Sequence, residues 1–325
     1  MRKPFVIAAM LLCSSLAIAQ EADELGGSNA ELSVIARAEY LNGDPLGNSS
    51  LYTLLEGNIS DNLSYSVCNH WLSSDPGALY GATFHADDVN WLDFAYLTYS
   101  LDKVELSLGK SDLCWGTYEM DEYDWDVHYP MASSLWFTLP IYQWGVKASW
   151  MPIENLTLDF KVSSSPYSEH PFEDGLLTYG LRARYEEEDS FGAMVAYNLF
   201  NTGFGDPIGV LSAGAQLYVG DVRLVADFNN KVGDLNYLTV FLDGFTSSLK
   251  CVVPFGEESE FELFGQAAYE RISSGNLEDL SGSLGVHWNP LDWLRVHALG
   301  NYRLGDINPG FFFNVGVTCN IPISL

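Results

Sequence analysis

The sequence predicts an all-β fold: a transmembrane antiparallel β-barrel of about sixteen strands, with one long loop between the fifth and sixth. Three observations predict it. Apolar and polar side chains alternate with a period of two in segment after segment. The connections between these segments alternate short and long, and tryptophans fall at segment ends, sorted by side. Successive side chains of a strand point to opposite faces, so this alternation marks two-faced strands. In lipid every backbone N–H and C=O needs an internal partner, so a spanning sheet must close on itself. Short turns at one end and long loops at the other are the rhythm of such barrels.

The first residues stand outside that pattern. Met1-Arg2-Lys3, the apolar run 5–12 and Ala17-Ile18-Ala19 are the charged, apolar and small-residue parts of a secretory signal, with cleavage expected before Gln20. The run falls short of the ~20 residues a membrane helix needs. Lipidation at Cys13 is the weaker alternative, because Leu12 stands where that signal wants a small side chain. Residues 1–19 are therefore read as a cleaved signal peptide, 20–30 as a short periplasmic segment and 31–325 as one barrel domain.

Strands are expected at 31–40, 50–60, 63–72, 90–100, 104–110, 142–151, 155–163, 176–185, 190–199, 209–219, 222–229, 238–253, 260–271, 279–288, 293–303 and 310–321. In 156–162, Leu156, Leu158, Phe160 and Val162 oppose Thr157, Asp159 and Lys161; in 222–228, Val222, Leu224, Ala226 and Phe228 oppose Arg223, Val225 and Asp227. A soluble sandwich also alternates. Here, however, the polar faces carry Arg, Lys, Asp, His, Gly and Ser, as a wet lumen would. Asp243-Gly244 could split 238–253 as a hairpin. That would make the count odd and put the last strand on the wrong side, so one long strand is expected, with fourteen or eighteen strands as alternatives.

Asp61-Asn62, 101–103, 152–154, 186–189, Gly220-Asp221, 255–259 and 289–292 are the short turns, assigned to the periplasmic end. Trp150, Trp288 and Trp293 flank them; Trp71, Trp91 and Trp144 lie at the opposite ends. Indole rings favour the headgroup level, so these are read as two girdles.

Charge narrows the function. After residue 19 the chain keeps 13 basic and 43 acidic residues, net −30. A nucleic-acid partner is excluded, because binding one needs a basic stripe. An acidic disordered chain is excluded by 47% hydrophobic and 14% aromatic residues. Cys68, Cys114, Cys251 and Cys319 fit no metal spacing, and nothing calls for a cofactor. Cys68 and Cys114 fall near one rim, within reach of a disulfide. Cys251 and Cys319 fall on apolar faces.

The connection 111–141 is rich in chemistry. It holds the acids Asp112, Glu119, Asp121, Glu122, Asp124 and Asp126 and the aromatics Trp115, Tyr118, Tyr123 and Trp125. A calcium loop is disfavoured, since the twelve-residue pattern with a central Gly and closing Glu is missing. Basic residues on the polar strand faces are Arg37, Lys147, Lys161, Arg182, Arg184, Arg223, Arg295 and Arg303. An enzyme would need a nucleophile and base converging at the rim. His287, His297 and Ser283 share the polar face instead, which lumen polarity explains, so no catalytic role is expected.

The hairpins Trp150-Met151-Pro152-Ile153-Glu154-Asn155-Leu156 and Trp288-Asn289-Pro290-Leu291-Asp292-Trp293-Leu294, with the signal, the strand pattern and the aromatic last strand, resemble the bacterial porin superfamily. The resemblance covers the whole chain after the signal and rests on pattern. One departure is the end, Ile321-Pro322-Ile323-Ser324-Leu325, where porins end in an aromatic residue read by the outer-membrane assembly machinery.

The resemblance implies a Gram-negative-type outer membrane as setting, lipid and lipopolysaccharide around the barrel, a homotrimer, and small hydrophilic solutes or ions as cargo. It also implies that the 111–141 loop folds inward, where its acids face the basic wall across a narrow throat and set up a transverse field. An external lid is the alternative. With net −30, weak cation selectivity is expected. Trp115, Tyr118, Tyr123 and Trp125 would alternatively stack on sugars, and a non-conducting structural or adhesive barrel is a further alternative.

Overall fold

A computed structural model describes residues 29–44, 49–73, 92–122, 129–133, 141–168, 170, 173–203, 207–232, 244–256, 260–272, 277–307 and 309–325. Sixteen strands follow in order: β1 (Asn29–Leu41), β2 (Ser50–Ser60), β3 (Leu63–Ser73), β4 (Leu92–Leu101), β5 (Val104–Asp112), β6 (Tyr142–Ile153), β7 (Leu156–Ser164), β8 (Leu177–Glu187), β9 (Phe191–Phe200), β10 (Ile208–Val219), β11 (Val222–Val232), β12 (Gly244–Phe255), β13 (Phe261–Ile272), β14 (Leu277–Leu291), β15 (Leu294–Gly305) and β16 (Gly310–Ser324). Each pairs antiparallel with its chain neighbours, and β1 closes on β16 to complete the barrel. A short helix, α1 (Tyr118–Glu122), and a 3-10 turn (Tyr129–Met131) lie between β5 and β6. Among the described residues no helix is long and apolar enough to cross a membrane.

The even count holds because β12 runs unbroken from Gly244; residues 238–243 of the expected strand lie outside the described residues. β1 starts two residues earlier than the sequence pattern suggests, at Asn29, paired with Asn58. The signal segment lies outside the described residues, and Cys68, Cys114, Cys251 and Cys319 are free thiols.

The barrel is inside-out relative to a soluble protein. Leu108, Leu181, Val195, Leu249, Leu284 and Phe311 are exposed on the outer face, while Ser33, Lys161, Asn198, Ser212, Asn229, Asn301 and Asn314 are buried on the inner one. So much exposed apolar surface on a closed sheet is stable only against acyl chains. Trp150, Trp288 and Trp293 stand exposed at the short-turn end. Trp71 and Trp144 are half-buried toward the other end, and Trp91 lies outside the described residues.

Proline falls where the ladder can spare an N–H. The β6–β7 register breaks between Trp150 and Ile153, around Pro152, and the β14–β15 register between Trp288 and Leu291, around Pro290. In β16 the Asn320 N–H reaches the Trp293 carbonyl, so the same edge two residues on, at Pro322, lies beyond the start of β15. The tight turns use Asp102 (φ 46°) and Asp189 (φ 51°), whose short polar side chains tolerate the left-handed region.

Candidate functional site

The long connection leaves β5 at a lysine clamp. Lys161 of β7, 1% exposed, donates to the Ser111 carbonyl (2.6 Å), the Ser111 hydroxyl (2.9 Å) and the Asp112 carbonyl (2.6 Å). A buried ammonium needs acceptors on each of its three donors, and here the loop root supplies them. Beyond it, Leu113 and Trp115 join Tyr167, Phe200, Ile208 and Val210 in a buried cluster. Asn198 of β9 donates to the Cys114 carbonyl at 2.6 Å.

α1 then lies on the inner wall. Tyr118 packs with Met194 of β9 and Val225 of β11, and the Thr117 hydroxyl donates to the Asp227 carboxylate. The wall makes room for it. A Cβ on Gly192 would come within 2.4 Å of the Tyr118 hydroxyl, and one on Gly214 within 2.8 Å of the Thr117 Cβ.

Charge fixes the near side. Arg182 of β8 pairs with Asp159 (3.0 Å) and Asp121 (3.1 Å) and stands 3.9 Å from Asp112. Lys147 of β6 meets Asp112 at 3.3 Å, and Arg184 pairs with Asp121. Ser149 donates to Asp159 at 2.6 Å.

The far side is held differently. Met131 fills a socket of Val252, Phe264 and Leu299, from β12, β13 and β15. Asn301 donates to the Pro130 carbonyl, Arg303 to the carbonyls of Pro130 (3.2 Å) and Ala132 (2.7 Å), and Gln266 to that of Met131 (3.3 Å). The two arms of the loop meet where Glu119, 3% exposed, accepts the Ser133 N–H at 2.8 Å. Burial pushes its carboxyl up to about 7, against the opposing hydrogen bonds from Ser133; Asp227 and Glu270 push the same way as burial. The Cys114 thiol, also buried, is pushed up to about 11, so it stays protonated and unreactive.

All eight wall bases project from the inner side of their strands, and most have close partners. Arg37 lies over the Tyr52 ring at 4.9 Å, with Tyr52 stacked on His70. Arg223 donates to Gln216 at 3.5 Å, and Arg295 shares the inner face with His297. Two expectations change. Asp112 and Asp121 touch their bases instead of opposing them across a gap, because the loop lies flush on β8 rather than standing off it. Trp115 and Tyr118 are buried packing anchors rather than surfaces for a sugar, because the inner wall there offers them apolar and small partners. Glu122 closes α1; Tyr123, Asp124, Trp125 and Asp126 lie outside the described residues.

Asn198, Asp227, Gln266, Asn301 and Met131 escaped the sequence reading. A signal existed for both apolar seats: Val225, under Tyr118, and Leu299, in the Met131 socket, break the alternation by placing apolar side chains on the polar face.

A closed sixteen-stranded barrel with a polar interior, an apolar exterior and its fifth connection inside is the transmembrane barrel fold of outer-membrane porins. Solved structures agree. A loop-deletion mutant of OmpT, an outer membrane protein of Vibrio cholerae, superposes with a TM-score of 0.64 at 14% identity, covering 91% of this chain and 99% of that one. The anion-selective porin from Comamonas acidovorans gives 0.63 at 15% identity over 92% and 100%. A mutant of the Rh. blastica porin gives 0.61 at 14% over 91% and 99%. No family model matches the sequence, and no curated protein sequence matches it. At these identities the likeness is one of fold.

Proposed function

We propose that the protein is a water-filled channel in the outer membrane of a Gram-negative-type bacterium, passing small hydrophilic solutes and ions by diffusion with a weak preference for cations. The observation that carries this reading is the fifth connection seated inside the barrel. Its described contacts run round the wall from β6 to β15, so it lines one arc of the lumen. The passage then runs between the loop and the arc of β1–β4, where Arg37, Tyr52 and His70 stand.

Charge supports cations. Lys147, Arg182 and Arg184 are already matched by Asp112, Asp121 and Asp159. Every short turn also presents an exposed acid: Asp61, Asp102, Glu154, the run 186–189, Asp221, Glu260 and Asp292. Lys103 interrupts them, and its ammonium donates to the Pro152 carbonyl. Acids ringing a channel mouth raise the local cation concentration. The anion selectivity named for the Comamonas porin is therefore not carried over.

The remaining features fit a non-catalytic channel. Ser283 bonds to Asn301, while His287 stands 3.4 Å from Glu262 and His297 3.1 Å from Glu39. A homotrimer exported by the signal at 1–19, inserted by the outer-membrane assembly machinery and surrounded by lipid and lipopolysaccharide, completes the proposal. Reconstitution into planar bilayers tests it. The expected result is an ohmic, weakly cation-selective current that grows and loses selectivity when residues 117–130 are deleted. An unchanged current in that variant overturns the loop's role, and no current from folded wild-type protein overturns the channel.

A further inference from the structure

Glu119 is unlike the other loop acids. Asp112 and Asp121 face bases, but the charged groups acting on Glu119 are the carboxylates of Asp227 on β11 and Glu270 on β13, all three buried. The remaining charges around the seat are committed elsewhere. On β8, Arg182 and Arg184 serve Asp121 and Asp159; on β12, Lys250 lies over the Phe264 ring at 5.9 Å; on β13, Glu262 stands beside His287; on β15, Arg303 holds loop carbonyls. The inner positions of β9 and β10 near the loop are uncharged: Gly192, Met194, Ala196 and Asn198, then Ser212, Gly214 and Gln216.

Glu119 also ties the loop to itself. Its Oε1 accepts the Ser133 N–H, joining the arm that carries α1 to the arm that carries Met131. Thr117, two residues before it, is docked on Asp227. A neutral acid accepts that N–H and has a proton to give a neighbouring carboxylate. An ionised one adds a third negative charge to a site closed to water.

We propose that Glu119 is a proton-operated clasp: protonated, it holds both loop arms together on the wall and keeps the passage narrow; ionised, it lets α1 and the 129–133 arm part and the passage widen. The width arm rests on the channel reading, while the clasp itself does not. The sign follows from the direction of the shift. A carboxyl raised above its unfolded value stabilises the seated loop fully below that unfolded value, and the stabilisation is lost as pH rises through about 7.

Amide hydrogen exchange at residues 113–122 and 129–133 in detergent micelles, corrected for intrinsic rate, tests the clasp. Between about pH 6 and pH 8 wild-type protection is expected to fall about tenfold, while Glu119→Gln keeps its low-pH protection throughout. Asp227→Asn removes one of the two repelling charges and moves the wild-type midpoint to lower pH, which decides the matter should the glutamine variant not fold. Flat wild-type protection, or an equal loss in Glu119→Gln, overturns the clasp. Conductance over the same range is expected to rise in wild type and stay level in Glu119→Gln. A pH-dependent exchange pattern with no current at any pH upholds the clasp and overturns the channel. A current that ignores pH, together with flat exchange, does the reverse.

Discussion

The loop rests on two seats built from different physics. On β6–β8 it is held by charge: Asp112 and Asp121 against Lys147, Arg182 and Arg184, with Asp159 completing the group. On β12–β15 it is held by shape and by backbone: Met131 in its socket and three loop carbonyls capped by Gln266, Asn301 and Arg303. A buried charge cluster is costly to break but sensitive to which partner is removed. A carbonyl-capped apolar plug ignores salt, and it fails through lost contacts and a cavity. One loop held both ways has a near end whose rim salt reaches and a far end that salt does not, while pH acts on both through the Glu119 clasp.

The largest expected effect strikes the charged seat at its centre. Arg182 is buried, and Asp159 beside it even more so. Arg182→Met leaves Asp159, and in part Asp121, as buried charge without its main partner, a loss of about 3–5 kcal/mol. Resistance of the folded barrel to heat in detergent should drop, and residues 113–122 should lose exchange protection while 129–133 keep theirs. Adding Asp159→Asn should restore part of the loss. If both loop segments loosen together, the seats are one cooperative unit and the comparison fails.

The converse substitution is Met131→Ala. It empties the socket of Val252, Phe264 and Leu299 at a cost of about 2–4 kcal/mol, before any collapse of the walls. Protection should fall at 129–133 and persist at 113–122, with no dependence on salt. A smaller effect, about 1–3 kcal/mol, is expected from Gly214→Ala, which overpacks α1 through Thr117 without touching either seat. The check is selective loss of protection in 117–122 with the barrel's heat resistance unchanged.

What the sequence disclosed follows the same division. Alternation and turn rhythm fixed the sixteen strands, because lipid outside and water inside impose a period of two on nearly every segment. The charged seat was half legible: acids in the loop and bases on strand faces stand out as residue types, though their contact does not. The far seat was nearly invisible. Its loop side is backbone carbonyl, which every residue has, and one Met that no pattern marks. Its wall side is Asn301 and Gln266, ordinary residues of a wet face. Trp115 and Tyr118 misled for a related reason: an aromatic side chain offers the same ring to a solute or to a wall, and Gly192, which admits Tyr118, lies far from it in sequence.

The smallest effect sharpens the distinction most, because it separates charge at the rim of the seat from charge at its heart. Arg184 pairs with Asp121, but both side chains keep roughly a quarter or more of their surface open to solvent. Asp121 also retains Arg182. Water and salt screen the outer pair and the inner arginine remains, so Arg184→Ala should cost below about 1 kcal/mol. Raising potassium chloride from about 0.1 M to 1 M, which shortens the screening length from about 10 Å to 3 Å, should bring wild type and variant together in the protection of 113–122. It should leave Arg182→Met as far from wild type as before, since its loss comes from charge sealed away from the salt. If high salt erases the Arg182 effect as well, the near seat is a surface contact and the two seats differ only in degree.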